Sequence, residues 1–315
     1  MATGKICITG ATGGLGSRVL HHLLKTLHVP PSSIIVSLHN PAGLPSELQN
    51  IGLDIRQGDF QKPETLGPAF EGASKLLVVS YPSIARGIRV ESHKNAIDAA
   101  KKAGVTHIYY TSLAFASDSS AAVMKAHQDT EAYLKQCDIK YTIMREGIYN
   151  ESYPLYLGYF NAAKANADGN RKVIIPGDGG IAWVGRDDLG EGTARIMTSD
   201  SDEFTNKTLL LSGDRALTLK EVAALIGDIM GWTTPVEVDE VTPEEYIVHH
   251  SKSQDGEVVK LWSTTYPAMK RGELAKVDPL LQKLLPHKLK TMEESLREEL
   301  QDVKSGSSNI QRYSK

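Results

Sequence analysis

The chain opens on a short apolar run, Lys5-Ile6-Cys7-Ile8-Thr9. It breaks into glycines at Gly10, Gly13, Gly14 and Gly16, then resumes with Val19, Leu20, Leu23, Leu24 and Leu27 at helical spacing. This reads as strand, glycine-rich turn, helix. Further strands are expected at 34–38, 54–57, 75–80, 106–111 and 140–144. The runs Leu76-Leu77-Val78-Val79 and Ile108-Tyr109-Tyr110 are continuous rather than alternating, as in strands covered on both faces. Helical patterns at 65–70, 90–103 and 121–136 fall between them, the second closing on Lys101-Lys102-Ala103-Gly104, basic residues and then a glycine stop. The alternation predicts an α/β fold, a doubly wound parallel Rossmann sheet over residues 1–150, with ligands outside the carboxyl ends of its strands.

After Tyr149 the pattern changes to an aromatic, turn-rich stretch, Tyr153-Pro154-Leu155-Tyr156-Leu157-Gly158-Tyr159-Phe160. Its tyrosines either line a substrate pocket or pack a second lobe. A helix at 186–197 and a strand at 208–211 resume the α/β rhythm, so residues 182–212 are expected to rejoin the first domain. Residues 151–181 and 213–304, with helices at 218–231, 243–249, 279–285 and 292–300, form a smaller, α-rich substrate lobe. The Ser/Gly/Asn-rich 305–315 reads as a flexible tail.

Composition narrows the class. The formal net charge is −3 and no basic patch stands out, which argues against nucleic acid and anionic membrane as partners. No apolar run approaches the ~18 residues of a membrane span, and no apolar leader precedes the first strand. The 315 residues contain two cysteines, Cys7 and Cys137, both read as packing residues, so a reducing, cytoplasmic setting is expected. No cluster suggests a metal.

The glycine turn is a candidate dinucleotide site, because it lets backbone approach a pyrophosphate and aims the helix's free N–H groups at it. In an NAD site an acid about 20 positions past the last glycine would hold the ribose 2′-hydroxyl. That position falls in Ser37-Leu38-His39-Asn40, which carries no acid. His39 and Asn40 can instead donate to a 2′-phosphate, so NADP(H) is favoured over NAD(H). Asp59 and Phe60, ending the third strand, are placed to meet the adenine, although Asp59 could equally cap the next helix. Ser80 and Tyr81, ending the fourth, are expected along the ribose or nicotinamide.

Several motifs recur together in order: Ile8-Thr9-Gly10-Ala11-Thr12-Gly13-Gly14-Leu15-Gly16, His93 with Asn95-Ala96-Ile97-Asp98-Ala99-Ala100, Tyr110-Thr111-Ser112, His127 with Thr130-Glu131, Tyr141-Thr142-Ile143-Met144-Arg145-Glu146-Gly147-Ile148-Tyr149, and Ser212-Gly213-Asp214. Together they resemble the NmrA-like branch of the atypical short-chain dehydrogenases, which includes bacterial NADPH-quinone oxidoreductases and triphenylmethane reductases. The resemblance implies a bilobal fold with a cleft between the lobes. It implies NADP(H) held on Gly10, Thr12, Gly13, Gly14 and Leu15, and along the motif residues Thr111, Ser112 and Gly147. It sets Tyr149 beside the nicotinamide and the substrate. His39 departs from the arginine common in NADPH-using relatives.

Ordinary short-chain dehydrogenases use a tyrosine and a lysine four residues on. The 121–136 helix lacks that pair, and Tyr266…Lys270 lies too far along the chain to supply it. Lys125 and His127 are the proton donors on that helix, and His93 is read as structural. Tyr81, Tyr149 and Tyr153 are expected as pocket walls. The activity expected is reduction of a small conjugated or aromatic substrate, a quinone, enone, ketone or imine. Two alternatives stay open: a non-catalytic dinucleotide sensor acting through a protein partner, and a redox-neutral biosynthetic enzyme on the same scaffold.

Overall fold

The computed structural model describes residues 4–199 and 201–304. The 305–315 stretch read as a tail lies outside them. Seven strands, β1 (Lys5–Thr9), β2 (Ile34–Leu38), β3 (Asp54–Gln57), β4 (Ala73–Val78), β5 (His107–Leu113), β6 (Lys140–Glu146) and β8 (Lys207–Leu211), form one sheet in the order β3-β2-β1-β4-β5-β6-β8. Every neighbouring pair is parallel. Chain direction across the sheet reverses between β1 and β4, which opens a crevice above their carboxyl ends. The remaining two strands, β7 (Lys172–Ile175) and β9 (Glu237–Glu240), pair separately.

Successive side chains point to opposite faces, and both faces are covered. Ile8, Val36, Leu77 and Tyr109 pack beneath the Gly14–His21 and Arg186–Thr198 helices. Cys7, Ile35, Leu76, Val78 and Tyr110 pack beneath the Leu66–Phe70, Arg86–Lys102 and Ala122–Gln136 helices. Double coverage explains the unbroken apolar runs. Cys7 and Cys137 are free thiols.

β5 and β6 run two residues past the expected 111 and 144, because Ser112 pairs with Arg145 and Leu113 with Glu146. The charged residues there read as a strand end, yet β8 alongside continues the ladder. A second apolar core sits in the C-terminal lobe, built from Leu219–Met230, Pro243–His250, Gly256–Ser263, Thr265–Lys270 and Met292–Lys304. Thr218 with Glu221 and Thr242 with Glu245 close reciprocal caps at two of these helices. The Leu280–Leu284 helix, expected in this lobe, instead packs on the Arg186–Thr198 helix and β8, with Leu281 in the core of the large sheet. Among the described residues no helix is long and apolar enough to cross a membrane.

Candidate functional site

The site begins at the end of β1. Thr9 Oγ1 donates to the Leu77 carbonyl (2.9 Å) and accepts from the Val79 amide (3.0 Å), clamping β1 to β4 where the chain turns. Gly10 then takes φ +64°, the left-handed region that glycine enters without penalty. The Gly13 amide bonds back to the Gly10 carbonyl at 2.9 Å. A Cβ on Gly16 would lie 2.2 Å from that same carbonyl, so the turn closes only with glycine there. The helix beyond the turn has no side-chain cap and no acid in its first turn. Its N-terminal amides therefore face the crevice with their positive end uncompensated. This geometry fits a dinucleotide pyrophosphate, and Gly10, Thr12, Gly13, Gly14 and Leu15 are the residues that could hold it.

At the adenosine end, His39 is 78% exposed and its Nδ1 lies 3.2 Å from Asp59 Oδ2. The Asp59 side chain is nearly buried, and its other oxygen accepts from the Gln61 amide at 2.9 Å. Asp59 thus fixes its own turn and backs His39, an arrangement closer to a cap than to an open adenine contact. Asn40 uses its side-chain oxygen to cap the turn at Ala42 (3.2 Å). Phe60 is buried, and its ring lies 6.2 Å from that of Tyr81.

Beyond β4, a buried network supports the strand ends. The Ser80 amide donates to Thr111 Oγ1 (2.9 Å), and the Tyr81 amide to His93 Nε2 (2.8 Å). His93 Nδ1 meets Thr130 Oγ1 at 2.8 Å, and Tyr110 Oη meets His127 Nδ1 at 2.9 Å. His93 is structural, as expected. His127 is the other proton donor expected on the 121–136 helix. It is 4% exposed, its ring engages Tyr110, and burial, then Arg89, holds its pKa well below the ordinary histidine value. It is a neutral member of the network that positions Tyr81, without a charged proton to give. Lys125 is half-buried on the same helix.

Ser112 is also committed, donating to Glu131 at 2.6 Å. Glu131 in turn receives both arms of Arg145, at 2.9 and 2.7 Å. Gly147 has a packing reason of its own: a Cβ there would fall 2.6 Å from Val184 and 2.8 Å from the Leu211 carbonyl. Tyr149 lies just past the same strand end, tied to Val184 through flanking backbone bonds of 3.0 and 2.9 Å. Burial, then Glu146, pushes its phenol well above the ordinary value, so it stays protonated. Tyr153, expected as a pocket wall, is 1% exposed and belongs to the C-terminal core.

Sequence reasoning missed Arg186, Glu146, Glu151 and Glu299. The Arg186 guanidinium carbon lies 4.9 Å from the Tyr149 ring centroid. Glu146 is buried beneath them, accepts from Thr193 at 2.9 Å, and has its carboxyl raised by burial to about 8. Glu299 is raised by burial to about 7. Tertiary contacts alone bring Arg186 to Tyr149 and Glu299 to Arg186, whereas Glu146 and Glu151 flank Tyr149 in the chain and lack only a spacing that marks them as functional.

The NmrA-like family model matches residues 2–294. An NmrA-like family domain-containing oxidoreductase of Aspergillus flavus is 33% identical over 293 residues, 88% of this chain and 89% of that protein. Quinone oxidoreductase 2 of Escherichia coli is 38% identical over 219 residues, 70% of this chain and 72% of its own length. Among solved structures, the triphenylmethane reductase of a Citrobacter species complexed with NADP(H) superposes with a TM-score of 0.82 at 31% identity, covering 93% of this chain and 99% of that one. A family match along nearly the whole chain makes this protein a member of the NmrA-like family.

Proposed function

We propose that this chain reduces a small conjugated or aromatic acceptor, a quinone, enone, ketone or imine, with NADPH as the reductant. The coarser class needs no proposal: it is an NAD(P)H-dependent oxidoreductase, and NADP(H) is its cofactor. The observation that carries the reading is the uncapped, acid-free helix N-terminus at the Gly10 turn, on the carboxyl edge of the sheet beyond which Tyr81 follows β4 and Tyr149 follows β6.

Once bound, the nicotinamide supplies a hydride. The protein supplies position. The glycine turn would hold the pyrophosphate and His39, backed by Asp59, the 2′-phosphate, while Tyr81 and Tyr149 follow β4 and β6 at the same carboxyl edge as candidate walls for the substrate. The Tyr149 phenol keeps its proton, so it donates a hydrogen bond to an oxygen that gains charge rather than surrendering the proton outright. Taking the hydride turns a quinone into an aromatic hydroquinone anion and an enone into a delocalised enolate, each protonated afterwards from water, so these two acceptors need the least acid assistance; a ketone or imine would draw its proton from water while Tyr149 holds the developing charge. Two free thiols and a chain without a membrane-spanning helix among the described residues suit a cytoplasmic setting. NADPH oxidation against a panel of quinones, enones, ketones and imines tests the reading.

A further inference from the structure

Arg186 begins the helix that runs beside the glycine-turn helix, and the two are unusually close. A Cβ on Gly190 would fall 2.4 Å from Arg18 Cβ, and one on Gly14 would fall 2.8 Å from Arg186 Nη1. Gly14 with Arg18, and Arg186 with Gly190, are each four residues apart, so the helices run parallel with their N-termini at the same end. That end is the carboxyl edge of the sheet, where the Gly10 turn lies. Two positive dipole ends and one guanidinium therefore converge beside the turn.

Four carboxylates lie around the start of this helix. Asp187 faces His22 (3.3 Å) and Arg18 (3.6 Å), along the helix pair and away from the turn. Asp188 accepts the Lys290 amide at 2.7 Å. The Glu151 carboxylate takes the backbone N–H of Arg186, at 3.3 and 3.4 Å from its two oxygens. Glu299, on the last helix, is raised by burial and then by Glu151, and lowered first by its hydrogen bond with Tyr153 and less by Arg186. The guanidinium itself extends over the Tyr149 ring and against Gly14.

We propose that Arg186 is a second grip on the cofactor's pyrophosphate, reaching it from the neighbouring helix while its guanidinium braces the ring of Tyr149. This rests on the dinucleotide reading above. A planar guanidinium can lie against an aromatic ring and still direct its edge N–H groups at phosphate oxygens, a combination that a lysine ammonium cannot reproduce. Arg186 thereby joins the two ends of the site, since the group that binds phosphate also sets the tilt of the residue facing the substrate. Towards the phosphate it is a binding residue. Towards the reaction it is a positioning residue that acts through Tyr149.

The test uses calorimetric titration of the full chain with two probes. One is 2′-phospho-ADP-ribose, which carries the pyrophosphate. The other is 2′-AMP, which carries the adenine and 2′-phosphate without it. Arg186→Met should weaken 2′-phospho-ADP-ribose roughly tenfold or more and flatten the salt dependence of its binding, while leaving 2′-AMP unchanged. Arg186→Lys should recover most of that affinity yet keep kcat below that of the parent enzyme, because Tyr149 loses its planar brace. An equal loss for both probes, or unchanged 2′-phospho-ADP-ribose affinity in Arg186→Met, overturns the role. Should the parent protein bind neither probe, the dinucleotide reading itself falls, and this role with it.

Discussion

The carboxylate of Asp59, itself almost wholly buried, stands 3.2 Å from Nδ1 of His39, whose ring is otherwise exposed beyond β2. A carboxylate on Nδ1 fixes the proton there and turns Nε2 outward, towards the place where a dinucleotide's 2′ substituent would lie. Under the proposed function the pair would serve the 2′-phosphate in place of an arginine. Asp59→Asn and His39→Ala are each expected to raise KM for NADPH about five- to tenfold, about 1 kcal/mol of a charge-assisted contact, and to leave NADH constants nearly unchanged. His39→Arg should sharpen the preference for NADPH. Steady-state kinetics with both cofactors measures this, and equal changes for NADPH and NADH would remove the pair from 2′-phosphate recognition.

The buried histidines make stability depend on pH. Burial, then Arg89, lowers His93 to about 3, and His127 lies well below its ordinary value. In the unfolded chain both titrate near 6.5. Below that value the unfolded state binds more protons than the folded one, so stability present above about pH 6.5 is lost as pH falls towards 3. Each histidine contributes a slope of up to about 1.4 kcal/mol per pH unit. Glu146 and Glu299, raised by burial to about 8 and 7, offset these histidines in the parent chain, so the readout is the difference between variant and parent: His127→Gln should reduce the slope of stability against pH by about one proton between about pH 6.5 and 5 in denaturant unfolding. An unchanged slope in the variant would mean that the imidazole is protonated within the fold.

Tyr149 and Tyr153 separate pocket from core. Tyr149→Phe keeps the ring beneath Arg186 but removes the hydroxyl. It should lower kcat about tenfold, the effect of one hydrogen bond made mainly in the transition state, with KM for NADPH unchanged. Tyr153→Phe, in the C-terminal core, should leave kcat unchanged. Thermal melts of both variants exclude a folding defect, and full kcat in Tyr149→Phe would confine Tyr149 to packing.

The parts legible in the sequence are those in which a single element carries its own signal. The Lys5–Leu15 turn needs only neighbouring residues to be recognised, and the unbroken apolar runs of β4 and β5 announce a sheet covered on both sides. The return of β8 to the sheet is readable because its apolar run comes after another helix in the same rhythm. Glu131 and Arg145 are individually unremarkable, since their pairing joins a helix to a strand distant in the chain. His127 reads as a proton donor from its residue type on the Ala122–Gln136 helix, but its burial against Tyr110 comes from another element. Arg186 reaches the glycine turn only because two glycines, Gly14 and Gly190, let their helices approach so closely, and that is a property of the packed pair rather than of either helix.

Turnover of the cofactor is what separates a reductase from a sensor on this scaffold. The most direct measurement is the loss of NADPH absorbance by the full-length protein with quinones, enones, ketones and imines, alongside NADP(H) titration of the same preparation. Tight NADP(H) binding, turnover with at least one conjugated acceptor, and slower turnover with NADH are predicted. Tight NADP(H) binding with no turnover against the whole panel would contradict the reductase reading and leave a dinucleotide sensor in its place.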